Sequence, residues 1–217
     1  MKKYELILEG KLFRIIALKD FGFIKKGELG GLIEKESNLS QKNECWVYKY
    51  AKVYGNALVS GDAQVLGDAE VRGNAKVYGN AEVSGDALVS GNAKVSGDAE
   101  VYGNALVSDD AKVYGNAKVY DNARVIDKSK VTGNAKVYGN AYVLGNTQAT
   151  KEVITFGNIF DYDITITDNH IKIGCQQYLK SRWLEFTNKE ILEMGGKRAL
   201  KFWGLFKPFA INMGFFN

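Results

Sequence analysis

One histidine in 217 residues limits the acid–base chemistry open to this chain. His170 precedes Cys175 by five residues, and an imidazole beside a thiol is the smallest base–nucleophile pair. The plainer reading makes His170 a hairpin residue and Cys175 a buried thiol. Carboxylates gather at Asp109-Asp110 and again at Asp127. They could hold a cation, or they could be drifted turns, since Asp accepts positive φ. Four lysines, Lys76, Lys94, Lys112 and Lys130, recur at intervals of eighteen, with Tyr78 and Tyr114 two residues after the first and third. Ammonium groups in file suit a phosphate or carboxylate, and neighbouring phenols could stack on a base or donate hydroxyls. The plainer reading is a solvated face that discourages edge-to-edge association. Either reading requires the chain to return to the same side every eighteen residues.

The backbone has a period that divides eighteen. From Ala51 to Asn146 the unit A-x-V-x-G-[N/D] runs for sixteen consecutive copies without insertion. Valine holds the third place throughout, alanine the first in all but Ser129, and Asn or Asp the last in all but Lys128. Ala and Val are two apart, so they share one face of an extended segment. Gly followed by Asn or Asp supplies the positive-φ corner. Each unit is therefore a short strand and a turn, with a narrow Ala/Val interior. Sixteen units make a little over five coils of three, a rod about 25 Å long at roughly 4.8 Å per coil. Each buried Val contributes about 1.5–3 kcal/mol before chain entropy is subtracted.

Stacking i on i+18 sorts the outward residues into three sides. One carries the lysine file. The second carries Glu82, Glu100, Lys118 and Lys136, flanked by Tyr102, Tyr120 and Tyr138. The third carries Leu88, Leu106 and Tyr142 with Ile126 and Leu144 alongside, apolar enough to need a cover, either a second subunit or the C-terminal region.

A stack has two open ends that need caps. Residues 1–44 read as a β cap, with strand signals at Tyr4–Leu8 and Leu12–Leu18 and a Gly-rich turn from Gly27 to Gly31. Cys45-Trp46-Val47-Tyr48 fits the repeat register, so the solenoid domain is set at 45–149, with the first coil opening near residue 39. Residues 150–217 read as a hairpin-and-helix cap. Ile164–Thr167 and His170–Ile173 form a hairpin. Thr187 to Glu190 opens a short helix that Gly195-Gly196 ends, and 197–206 forms a second helix stopped by Pro208. The aromatic tail, Phe202 to Phe216, fits capping better than a membrane surface.

A net charge of +4 permits an anionic partner without requiring one. Two cysteines and no signal peptide or long apolar run are expected of a cytoplasmic protein of a bacterial host cell.

The uninterrupted period of six resembles the hexapeptide repeat of left-handed β-helices, where three units form a triangular coil. The array also resembles hexapeptide acyltransferases. Those enzymes use a histidine base beside the coils and a loop leaving the solenoid, and this array has neither. A γ-type carbonic anhydrase on the same scaffold needs three His ligands. The flanks are more specific. Ala17-Leu18-Lys19-Asp20-Phe21, Gly27-x-x-Gly30-Gly31, Asn38-Leu39-Ser40 and Cys45-Trp46-Val47-Tyr48 are similar to those of bacterial and prophage hexapeptide-repeat proteins. So are Ile173-Gly174-Cys175, Trp183, Phe186-Thr187, Ile191, Met194, Arg198-Ala199-Leu200 and Trp203. This resemblance implies the fold and a phage or prophage context, and assigns no activity.

The expected protein is a mainly β, left-handed parallel β-helix acting as a non-catalytic binding or scaffolding module and as a homo-oligomer. The alternative is a nucleotide- or small-molecule-sequestering protein using Lys76, Lys94, Lys112, Lys130, Tyr78 and Tyr114 between subunits. An acyltransferase ranks third, and long nucleic acid below that. No cofactor, metal or membrane partner is expected.

Overall fold

The computed structural model describes residues 2–156 and 162–216. The hexapeptide units become two-residue rungs such as Lys94–Val95 and Lys112–Val113. Every repeat valine is fully buried, and the repeat alanines are exposed by no more than 1 %. The rungs pair in parallel at eighteen-residue spacing, Val77 with Val95, Val95 with Val113 and Val113 with Val131. Three sheets result, one of nine strands and two of six, around a single Ala/Val column.

Glycine is favoured at the corners for two reasons. Its φ there lies between 62° and 75°, and a Cβ on Gly61 would come within 2.8 Å of the Gly79 nitrogen in the next coil. The Asn side chains beside the glycines form ladders. Asn56 Nδ2 donates to Asn74 at 3.2 Å, Asn74 to Asn92 at 3.0 Å and Asn92 to Asp110 at 3.0 Å.

The parallel stack reaches further back than the repeat pattern implies. Strand β3 (Leu29–Ile33) pairs Ile33 with Val53, and Leu39 bridges to Val59. The coil therefore opens before residue 39. The offset of twenty, against eighteen from Val47 to Val65, marks two extra residues at the 40–45 corner. Gly30 and Gly31 are not in a turn. They lie within β3, where a Cβ would sit 2.6 Å from the Val47 carbonyl oxygen or 2.5 Å from those of Tyr48 and Ala51. Strands β1 (Tyr4–Glu9) and β2 (Leu12–Ala17) then extend the same sheet antiparallel and close this end.

At the other end the strands Ile154–Phe156, Ile164–Ile166, His170–Ile173 and Gln176–Leu179 form an antiparallel sheet. It docks on the last coil. The Tyr142 amide donates to Thr165 at 3.1 Å, and Gln177 Nε2 donates to the Leu144 carbonyl at 3.1 Å and to Thr147 at 3.0 Å. Helices α1 (Lys180–Glu185) and α2 (Asn188–Asn212) pack behind it. Trp183, Phe202, Trp203 and Phe206 join the hairpin isoleucines in a second core. Helix α2 is broken at Gly195-Gly196, where Gly196 has φ 68°, but it does not stop at Pro208. The ring stays exposed while Phe206 and Ala210 on either side are buried. Their packing outweighs the one backbone bond that proline forgoes.

Candidate functional site

The register places Lys76, Lys94, Lys112 and Lys130 one above another on one side of the rod. All four are exposed, and none makes an ion pair among the described residues. Their rungs are held by backbone bonds of 2.9–3.0 Å to the next coil, for example Lys94 N–H to the Ala111 carbonyl. The stems therefore leave the sheet at fixed intervals of about 4.8 Å. In water such spacing costs at most about 1 kcal/mol per neighbouring pair. Tyr78 and Tyr114 flank the file and are 40 % and 36 % exposed, with Ser96 between them. The rings are thus a gap apart and do not stack on each other.

The file ends at Gln148, which pairs with Lys130. Beyond it a cleft of about 900 Å³ opens between the last coil and the cap, lined by Gln148, Thr150, Lys151, Asp168, Asn169 and Lys180 among others. The Asp168 carboxylate accepts from the Thr150 amide at 2.8 Å and hydroxyl at 2.6 Å. Sequence reading missed this cleft because its residues follow no period. Only their position directly after the last regular unit could have signalled it.

The second side differs in kind. The Tyr102, Tyr120 and Tyr138 rings stack at 5.0 and 5.4 Å, within 12° of parallel. Their inner faces cover one another, so they offer a ligand edges rather than platforms. Burial raises the hydroxyl pKa of Tyr102 and Tyr120, and a hydrogen bond with Glu152 raises that of Tyr138. Glu100 accepts from Lys118 Nζ with both oxygens at 2.8 Å, which raises the ammonium pKa.

His170 and Cys175 are not brought together. His170 pairs with Leu179 and Ile173 with Gln176, so Cys175 lies in the turn at the far end of the hairpin, more than about 10 Å away by strand rise. Cys175 is exposed, contrary to the buried thiol expected. His170 Nδ1 is buried with no hydrogen-bond partner among the described residues, and burial lowers the ring's pKa. Asp109, Asp121 and Asp127 occupy the glycine place with φ of 59–60°. The Asp121 carboxylate accepts from the Gly139 amide at 3.0 Å and that of Asp127 from the Gly145 amide at 2.8 Å. These carboxylates serve the coil stack, and among the described residues no cluster has a metal-holding arrangement.

A family model described as the YdcK beta solenoid repeat matches residues 51–67. The chain is a β-solenoid repeat protein. No match was found among curated proteins. The matched residues are the first of the contiguous units, and the solenoid they belong to carries the lysine file through four coils without a break. Among the described residues, no helix of this solenoid protein is long and apolar enough to cross a membrane.

Proposed function

We propose that the protein is a non-catalytic binding module of the phage or prophage type that its flanks resemble, and that the lysine file receives an anionic small molecule or nucleotide. The exposed, unpaired register of Lys76, Lys94, Lys112 and Lys130 carries this reading. The solenoid fixes the four stems before any ligand arrives, so little backbone entropy is lost on binding. A line of ammonium groups is mildly self-repulsive. An anion laid along it removes that repulsion and accepts charge-assisted hydrogen bonds. Tyr78 and Tyr114, each with a ring beside the file, supply stacking surface or hydroxyl donors for a base.

Thermal melts with mono-, di- and cyclic nucleotides test the reading. A ligand of the file raises the melting temperature by mass action, and added salt weakens the shift. Changing Lys94 and Lys112 together to Gln removes the shift without lowering the unliganded melt. No shift with any member of the panel at low salt would leave the file a solvated face and refute the proposal.

A further inference from the structure

Among the described residues, the cap's contacts leave open the centre of the side of the rod that carries Leu88 and Leu106. The two leucines pair in register and are only half-buried. The contacts from the C-terminal sheet described above fall on the last coil, at Tyr142 and Leu144. Beside the leucines stand Ser90 and Ser108, small enough for another sheet to approach. One coil to either side the charges are opposite. Glu70 pairs with Leu88, and Arg124 with Leu106. Consecutive coils therefore read Glu, Leu, Leu, Arg.

A column in that order complements itself when inverted. We infer that this side is a two-fold interface between two copies of the chain, with their rods antiparallel. Leu88 then rests on the partner's Leu106, and Glu70 faces the partner's Arg124, each contact occurring twice. Aligning the rods parallel would oppose Glu70 to its own copy and Arg124 to its own copy, like charges in both places. Both side chains are already held at this surface. Glu70 lies 3.6 Å from Lys52 and accepts from the Tyr54 hydroxyl at 2.7 Å, and the Arg124 guanidinium sits 5.5 Å from the Tyr142 ring centre. Five uncovered coils by six residues cover roughly 24 by 20 Å, or about 1,000 Å² over both chains. That is the bottom of the range for a specific interface, so the dimer dissociates on dilution. The inference is independent of the anion site, which uses another side of the rod.

Sedimentation velocity of the full chain over a concentration series tests it. A concentration-dependent dimer is expected, and Leu106→Glu abolishes it while leaving the melt unchanged at dilutions where both proteins are monomeric. Glu70→Arg alone and Arg124→Glu alone each weaken the dimer at least tenfold, and the two together restore it. A monomer at every concentration overturns the inference. So does a dimer indifferent to Leu106→Glu, which would use another surface. A dimer lost with Leu106→Glu but indifferent to either single charge reversal overturns the antiparallel pairing. If Leu106→Glu fails to fold, the reversals at exposed Arg124 and partly exposed Glu70 decide the question alone.

Discussion

Asp121 occupies a corner where the repeat favours glycine, and it shows what the corner tolerates. Its φ of 59° is strained for a side chain, and its carboxylate accepts the Gly139 amide of the next coil. The two effects oppose each other. Asp121→Ala keeps the strain and loses the bond, so it should destabilise by about 1–2 kcal/mol. Asp121→Gly loses the bond and relieves the strain, so it should cost clearly less. Chemical denaturation of the two variants measures the difference, and equal costs would mean the backbone strain is negligible. The inward and outward places were legible from spacing alone, because a period of two admits only one assignment of Ala and Val. Lys3 was not legible. It is 1 % exposed, donates to the Cys45 carbonyl at 2.8 Å and contacts the Cys45 thiol at 3.3 Å. Burial lowers its pKa. Nothing within the first few residues reveals a corner some forty positions away that supplies carbonyl acceptors.

At the scale of elements, local chemistry predicted well where it acts locally. Thr187 and Glu190, read as a helix start, form a capping box at the head of α2, the Glu190 amide donating to Thr187 Oγ1 at 3.3 Å and the Thr187 amide to Glu190 at 2.8 Å. That backbone bond, then the Thr187 hydroxyl and Arg182, hold the Glu190 pKa below its ordinary value. A depressed folded-state pKa stabilises fully above the unfolded value and loses its effect as pH falls through the folded one. Glu190→Gln should therefore melt below the native protein at neutral pH, and the gap should close as the solution passes below the carboxylate range. A gap that stays constant across that range would show that the carboxylate's charge plays no part in the cap. The same local reasoning misplaced two elements. Pro208 was read as a stop, yet α2 runs on to Asn212 because Phe206 and Ala210 have a core to join. Gly30-Gly31 was read as a turn, yet the pair lies in a strand pressed against neighbouring carbonyls. In both cases tertiary contact overrode a residue's usual habit.

The whole molecule is a rod with two unlike ends and three unlike sides. Period and composition made the rod legible, together with the columns on its sides. They could not show where the cap sits, and so did not reveal the cleft beyond Gln148.

The interior repeats every six residues but the exterior only every eighteen. Rod length and the alignment of its sides can therefore be edited separately. Removing residues 93–110 takes out one full coil. The remaining columns stay in phase, and three of the four file lysines remain in line. Removing only residues 93–98 preserves every Ala and Val contact just as well, yet turns all that follows by one side. Glu100 then stands next to Lys76 where Lys94 did, and the file is split. Both deletions should give cooperative melts close to the native one. Only the shorter should abolish the nucleotide-dependent shift. If the six-residue deletion unfolds the chain while the eighteen-residue deletion does not, the outer columns contribute to holding the stack as well as to its surface. In that case insertions and deletions of single units would be as damaging to this protein as frameshifts are to a reading frame.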